Sequence, residues 1–210
     1  CRWVRRHRIP ASRTVPTDRR DRPETNLEQI VPAPNRSVAP SPYDYLAEVP
    51  SFTVTSDDIA EGQPIDPMFV ADAAFGLDGQ NTSPHLRWEG FPPETGSFAV
   101  TCFDPDAPTG SGFWHWVLFD IPGTVTELAR GAASGDLSGL PRGAVHARND
   151  TGNPLYVGPF PPAGHGPHRY LYAVHALGPA ELGIDGSVPP AVVGFNMSGQ
   201  TLARAVLTAT

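Results

Sequence analysis

Tyr170-Leu-Tyr-Ala-Val-His-Ala-Leu177 is eight residues of aromatic, β-branched and small apolar side chains, and Gly178-Pro179 closes it. The run is too short for an independent helix and has the composition of a buried strand. Working outward, Phe98-Ala-Val-Thr-Cys-Phe103 and Trp114-His-Trp-Val-Leu-Phe-Asp-Ile121 read the same way, with Pro122-Gly123 ending the second. Phe52-Thr-Val-Thr-Ser56 alternates like a shorter strand, and Ser83-Pro-His-Leu-Arg-Trp88 leads into another. Asp57 to Gly62 reads as a turn. Thr126 to Ala133 reads as a short helix, and Val192 to Ala203 as a longer one. The last stretch, Arg204-Ala-Val-Leu-Thr-Ala-Thr210, reads as a strand cut short, as if the chain were a fragment. Strands separated by turns predict a mainly β, antiparallel fold with few helices.

Composition agrees. Among 210 residues there are 25 Pro and 21 Gly, and helices tolerate few of either, so a helical bundle is excluded. No apolar run approaches the ~18 residues of a membrane span. The two cysteines, Cys1 and Cys102, make neither a disulfide framework nor a zinc site. Charge divides the chain. Residues 1–40 carry nine Arg against four acids, whereas residues 41–210 carry six Arg against eighteen acids, a net of −12. The acidic body argues against nucleic acid as a partner. Residues 1–42 are expected to be a disordered Arg/Pro-rich tail, and residues 43–210 the folded domain. A cytoplasmic location is expected. Secretion, or a lipid anchor on Cys1, is the alternative, without a signal segment to support it.

Three segments join a strand to a polar cluster. Asp104-Pro-Asp-Ala-Pro108 directly follows a strand, and both Asp104 and Ala107 precede a proline, which stiffens the loop. Alternation puts Asp104 in a row with Cys102, Val100 and Phe98. Asp106 points elsewhere or caps the turn. In Gly112-Phe-Trp-His-Trp116, alternation places His115 at the head of an apolar row with Val117, Phe119 and Ile121. Were the two strands neighbours, Asp104 and His115 would meet at the mouth of one cavity. The third segment, Gly158-Pro-Phe-Pro-Pro-Ala-Gly-His-Gly-Pro-His-Arg-Tyr170, is a structured loop running onto a strand. Its N–H groups suit an anion, and Arg169 would supply a planar fork. His165 and His168 lie three apart without an acid or Cys at ligand spacing, so no metal is expected. Cys102 reads as a small core residue. A Gly-x-Ser-x-Gly elbow and a Gly-rich nucleotide loop are both missing.

Together these segments resemble the phosphatidylethanolamine-binding protein family, also called the Raf kinase inhibitor protein family. Asp104-Pro-Asp-Ala-Pro108, followed by His115, resembles its first signature. Gly166-Pro-His-Arg-Tyr170, with the Gly-Pro-x-Pro-Pro loop at 158–162, resembles its second. The likeness covers about residues 50–210. Phe113 and Trp114 differ from animal members, and Ile121-Pro122 with the short link between signatures looks like the bacterial branch. The resemblance implies a large antiparallel sheet packed on a smaller one with a few peripheral short helices. It also implies a small pocket for an anionic head group, lined by Asp104, Asp106, His115, Pro162, His168 and Tyr170, with Arg169 bracing it. The C-terminal pocket Tyr of animal members has no match up to Thr210.

The function expected is a non-enzymatic binding protein for a small phosphate- or head-group-like anion, without a cofactor. The alternatives are a regulator that binds a kinase or protease through the pocket loops, and an enzyme acting on a small ester or phosphate. A homodimer is a further expectation. Two aspartates beside an anion require offsetting charge; the candidates are protonated His115 and His168, Arg169, and loop N–H groups between Gly158 and Gly166, and of these only the histidines change charge in the ordinary working range. Affinity is therefore expected to rise as pH falls from about 8 to about 6.

Overall fold

The computed structural model describes residues 39–210. The expected tail over residues 1–42 lies, up to residue 38, outside the described residues. The strands are β1 (Thr53–Thr55), β2 (Leu86–Glu89), β3 (Ser97–Asp104), β4 (Phe113–Pro122), β5 (Glu127–Leu128), β6 (Val145–His146), β7 (Tyr170–Leu177) and β8 (Thr201–Ala209). One α-helix, α1 (Pro190–Met197), precedes β8. The large sheet has the order β6-β4-β3-β7-β8 and the small one β1-β2-β5, and all strand neighbours in both are antiparallel. This is the mainly β, two-sheet architecture expected. Among the described residues no helix is long and apolar enough to cross a membrane.

Every residue of β3 and β7 is buried. A sheet covered on one face shows alternating burial; continuous burial means that both faces are covered. One face meets the small sheet, where Leu86, Trp88 and Leu128 pack with Phe98, Val100, Cys102, Trp116, Leu118 and Val174. The opposite face presents Ala99, Val117, Phe119 and Leu177 to Val193 and Met197 of α1. The strands at the centre of the large sheet are therefore mostly apolar on both faces, which is why they stand out in the sequence.

Two expectations about helices change. Residues 126–133 form no helix: Glu127 and Leu128 pair with Arg87 and Leu86, which places Leu128 in the core. Gly131, at φ +77°, then turns the chain. A lone strand residue with a cross-strand partner outweighs weak local helix preference. The helix expected over 192–203 runs instead from Pro190 to Met197. Gly199 at φ +79° ends the turn, and β8 begins at Thr201.

The apolar row expected for His115 is also broken. Cys102 pairs with Trp116 and Phe103 with Trp114, so His115 is an extra residue on β4. A second irregularity falls at Asp120, at φ +54°, between the Phe98–Ile121 and Val100–Leu118 pairs. Each bulge reverses the alternation. Val117 and Phe119 consequently face α1, whereas Ile121 lies between the sheets and His115 contacts Tyr170, a residue of that same core.

Candidate functional site

β3 and β4 are antiparallel neighbours, so the end of one lies beside the start of the other. Asp104 pairs with Phe113, and Asp104 and His115 line one cavity of about 170 Å³. His168, just before β7, lines it too. The walls are apolar: Ala107, Pro108, Phe113 and the Phe160–Pro162 part of the loop. Phe160 is the hinge of that wall, with its ring centroid 5.2 Å from Phe113, 5.5 Å from His115 and 5.0 Å from Phe75. The sequence reading missed Phe113, Phe160 and Phe75 as neighbours. Only the Gly/Pro loop signalled a wall, and it did not say which rings would meet.

Asp104 is 3% exposed, and each oxygen has a partner. Oδ2 lies 2.7 Å from His168 Nδ1, and Oδ1 accepts the Asp106 backbone N–H at 2.7 Å. The turn is thus capped by Asp104, not by Asp106. Burial pushes the Asp104 carboxyl up, against the opposing hydrogen bond and charge of His168.

His115 is buried, and its Nδ1 donates to the Val157 carbonyl at 3.0 Å. A carbonyl only accepts, so the proton of the neutral ring is on Nδ1 and the lone pair is on Nε2. Burial pulls the ring down to about 4, helped by the nearby charge of His168 and opposed by the hydrogen bonds to Val157 and Gly158. Without ligand, His115 is neutral across the ordinary working range. The structure therefore corrects the expectation of a histidine already cationic near pH 6.

Asp106, Arg169 and Tyr170 do not line the cavity. Arg169 donates from Nε at 2.8 Å and from its backbone N at 3.0 Å to Asp106 Oδ2, and from Nη2 to Asp106 Oδ1 at 2.7 Å. The same Nη2 donates to the Ala39 carbonyl at 2.6 Å. The fork is spent on Asp106, and the pair braces the two signature segments from behind. Burial opposes ionisation of Asp106, but the side-chain and backbone hydrogen bonds and the charge of Arg169 outweigh it and hold the carboxyl below its usual range. Tyr170 lies under His115, at 5.3 Å between centroids, with its hydroxyl buried and no hydrogen-bond partner among the described residues. Pro162 is exposed at the lip.

Asp106→Ala leaves a partly buried guanidinium without its partner. Fully buried pairs cost ~3–5 kcal/mol when one member is removed, and exposed pairs ~0–1. These side chains are 17% and 27% exposed, so a loss of about 2 kcal/mol is expected in urea melts. Because the folded-state pKa of Asp106 is depressed, its contribution is present above the unfolded value of about 3.9 and is lost as pH falls through the folded value. The wild-type and Asp106→Ala stabilities should converge at that low end.

The family model described as phosphatidylethanolamine-binding protein matches residues 55–210. The chain is 43% identical over 164 residues to UPF0098 protein YbcL of Escherichia coli, covering 78% of this chain and 89% of that one. It is 44% identical to UPF0098 protein YbhB of the same organism over 154 residues, 73% and 96% of the two chains. The crystal structure of E. coli YbcL, described as a new member of the mammalian PEBP family, superposes with a TM-score of 0.73 over 76% of this chain and 96% of that one. The CT736 homologue from Chlamydia trachomatis superposes at 0.63 with 26% identity, over 76% and 95%. Nearly all of each relative is thus matched by the two-sheet domain that carries Asp104, His115 and His168. On that ground the chain belongs to the phosphatidylethanolamine-binding protein family.

Proposed function

We propose that the protein is a non-enzymatic binder of a small anion, a phosphate monoester or phospholipid head group, held in the Asp104–His115–His168 cavity. Family membership gives the coarser statement, small-ligand binding. The observation that carries the finer one is the pair of buried imidazoles lining a small, apolar-walled cavity. Its volume of about 170 Å³ is below the ~300–1,000 Å³ of drug-sized sites, which favours a head group over a whole lipid. His168, fixed through Nδ1 by Asp104 Oδ2 at 2.7 Å, leaves its other ring nitrogen for the anion. His115 offers a lone pair, so it either accepts a proton from a hydrogen phosphate or takes one up when an anion binds. No Ser or Cys lines the cavity, and the Thr109 hydroxyl is donated to the Gly112 carbonyl, which supports binding over nucleophilic catalysis. A cytoplasmic setting belongs to the same proposal; Cys102, a buried free thiol, is compatible with it.

Calorimetry with O-phosphoethanolamine and with ethyl sulfate tests this. Asp104→Asn and His168→Gln should each weaken binding about 10-fold, the scale of one lost charge-assisted hydrogen bond of ~1.4 kcal/mol, with the melting transition retained. Undiminished binding in both variants would place the ligand elsewhere.

Ethyl sulfate also reports the proton. It stays ionised throughout, so only the protein titrates. A bound anion moves His115 from about 4 back toward its ordinary value of about 6.5. Proton uptake on binding makes affinity rise as pH falls below that bound-state value, by about 10-fold from roughly pH 7 to 5.5. A flat profile would mean that fixed donors carry the anion.

A further inference from the structure

A second cavity, of about 240 Å³, opens on the α1 side of the large sheet. Its walls include Tyr43, Leu46, Trp114 and Met197. Its polar lining includes Ser198, Thr201, and the pair His175 and Arg204, register partners on β7 and β8.

The hydrogen-bond directions in this cluster are fixed. Arg204 Nε can only donate, and it lies 3.3 Å from His175 Nδ1. Nδ1 is therefore the acceptor. Burial, and secondarily the Arg204 charge, pull His175 down to about 3, so the ring is neutral with its proton on Nε2. That proton points to Thr101 Oγ1 at 3.4 Å, and the Tyr43 hydroxyl lies 3.3 Å from the same oxygen. Tyr43 closes the cluster, with its ring 5.8 Å from His175 and the Arg204 guanidinium 4.9 Å from its centroid. A neutral histidine, a hydroxyl and a ring face cannot cancel a full positive charge. Among the described residues Arg204 has no carboxylate partner, and its terminal nitrogens make no hydrogen bond. An unneutralised, half-buried guanidinium in a low-dielectric cavity is costly alone and strongly attracts an anion.

We propose that this cavity binds a small amphipathic carboxylate: the carboxylate on the free face of Arg204, the apolar body against Leu46, Trp114 and Met197. Size fits the class. A dry cavity of ~150 Å³ takes benzene, so about 240 Å³ takes a phenyl ring with a short carboxylate arm. The site is separate from the Asp104 cavity, with which it shares no lining residue.

The test is a titration of the full chain with 3-phenylpropionate and with 3-phenylpropan-1-ol, which has a similar apolar body and no charge, followed by calorimetry and amide chemical shifts. The acid should bind at least about 10-fold more tightly than the alcohol, a difference of one charge-assisted contact, and should shift resonances of Trp114 and His175. Arg204→Met should abolish the preference, and Arg204→Lys should keep part of it. Ala47→Trp fills the exposed rim without touching the sheet and should weaken both ligands; it keeps the test valid should Arg204→Met fold poorly. Saturating O-phosphoethanolamine should leave the acid bound. Equal affinity for acid and alcohol overturns the proposal, as does loss of acid binding on adding O-phosphoethanolamine, or no binding of either ligand in the millimolar range.

Discussion

Acidification from pH 6.5 to 5 is expected to remove about 5 kcal/mol of folding stability, through three histidines buried without charge. Burial holds His115 and His146 to about 4 and His175 to about 3. Their unfolded value is about 6.5. Between these limits the unfolded chain binds a proton at each ring and the folded protein does not. Stability is therefore full above about 6.5 and falls with decreasing pH, by up to ~1.4 kcal/mol per pH unit for each ring. A typical domain has only ~5–15 kcal/mol in total, so this loss is a large share of it. Denaturant melts at pH 7.5, 6.5, 5.5 and 5 give the slope. Proton uptake on unfolding at pH 5.5, measured by calorimetry in buffers of different ionisation enthalpy, should approach three. A slope near zero over this range would show that the rings protonate inside the fold. Saturating ethyl sulfate should remove about one third of the slope, since only His115 lies in the proposed anion cavity.

Gly158→Ala is expected to cost about 3 kcal/mol, at the upper end of the overpacking range, and with it most of the affinity for the head-group probe. A Cβ at Gly158 would sit 2.5 Å from the Ala71 nitrogen and closer still to the Phe69 carbonyl oxygen. Both are backbone atoms in a segment already fixed by hydrogen bonds. The Ala71 N–H donates to the Pro159 carbonyl at 3.0 Å, the Gly158 N–H to Asn81 Oδ1 at 2.7 Å, and the Tyr156 hydroxyl to the Phe69 carbonyl at 2.9 Å. The loop must move away, and it carries Phe160 and Pro162 of the cavity wall. A fall in melting temperature of about 10 °C is expected for a domain of this size. Gly194→Ala is the contrast: it lies in α1 with nothing within 4 Å of the added carbon, so helix propensity should stabilise the protein by about 0.5–1 kcal/mol. If Gly158→Ala melts and binds like wild type, the close approach to residues 69–71 is not what positions the wall.

Acid lability and the proposed anion binding meet at His115. The burial that makes it an acid-labile element also makes it an empty proton acceptor in the cavity. A protein that must take up a proton to hold a permanent anion discriminates between ligands that bring a proton and ligands that do not. Hydrogen phosphate monoesters bring one and sulfate esters do not.

The sequence by itself determined where the central strands lie. β3, β4 and β7 are predominantly apolar runs because both faces of the large sheet are covered, and such runs need no partner to be recognised. Alternation also suggested that Asp104 and His115 would meet, and the resemblance of the two signature segments to the family implied that His168 joins them. Other features needed the tertiary structure, because they depend on what lies opposite. The bulges at His115 and Asp120 exist only against β3, and they moved Ile121 to the other face from Val117 and Phe119. Leu128 belongs to a strand only because Leu86 is its partner, so residues 126–133 read locally as a helix. Asp106, expected among the pocket residues, and Arg169, expected to brace them, are paired with each other by the fold. The charge of His115 was misjudged for the same reason: a sequence supplies the solution pKa of an imidazole, and only burial pulls His115 down to about 4. Local periodicity is written along the chain. Register, desolvation and the choice of ion-pair partner arise between segments distant in the chain.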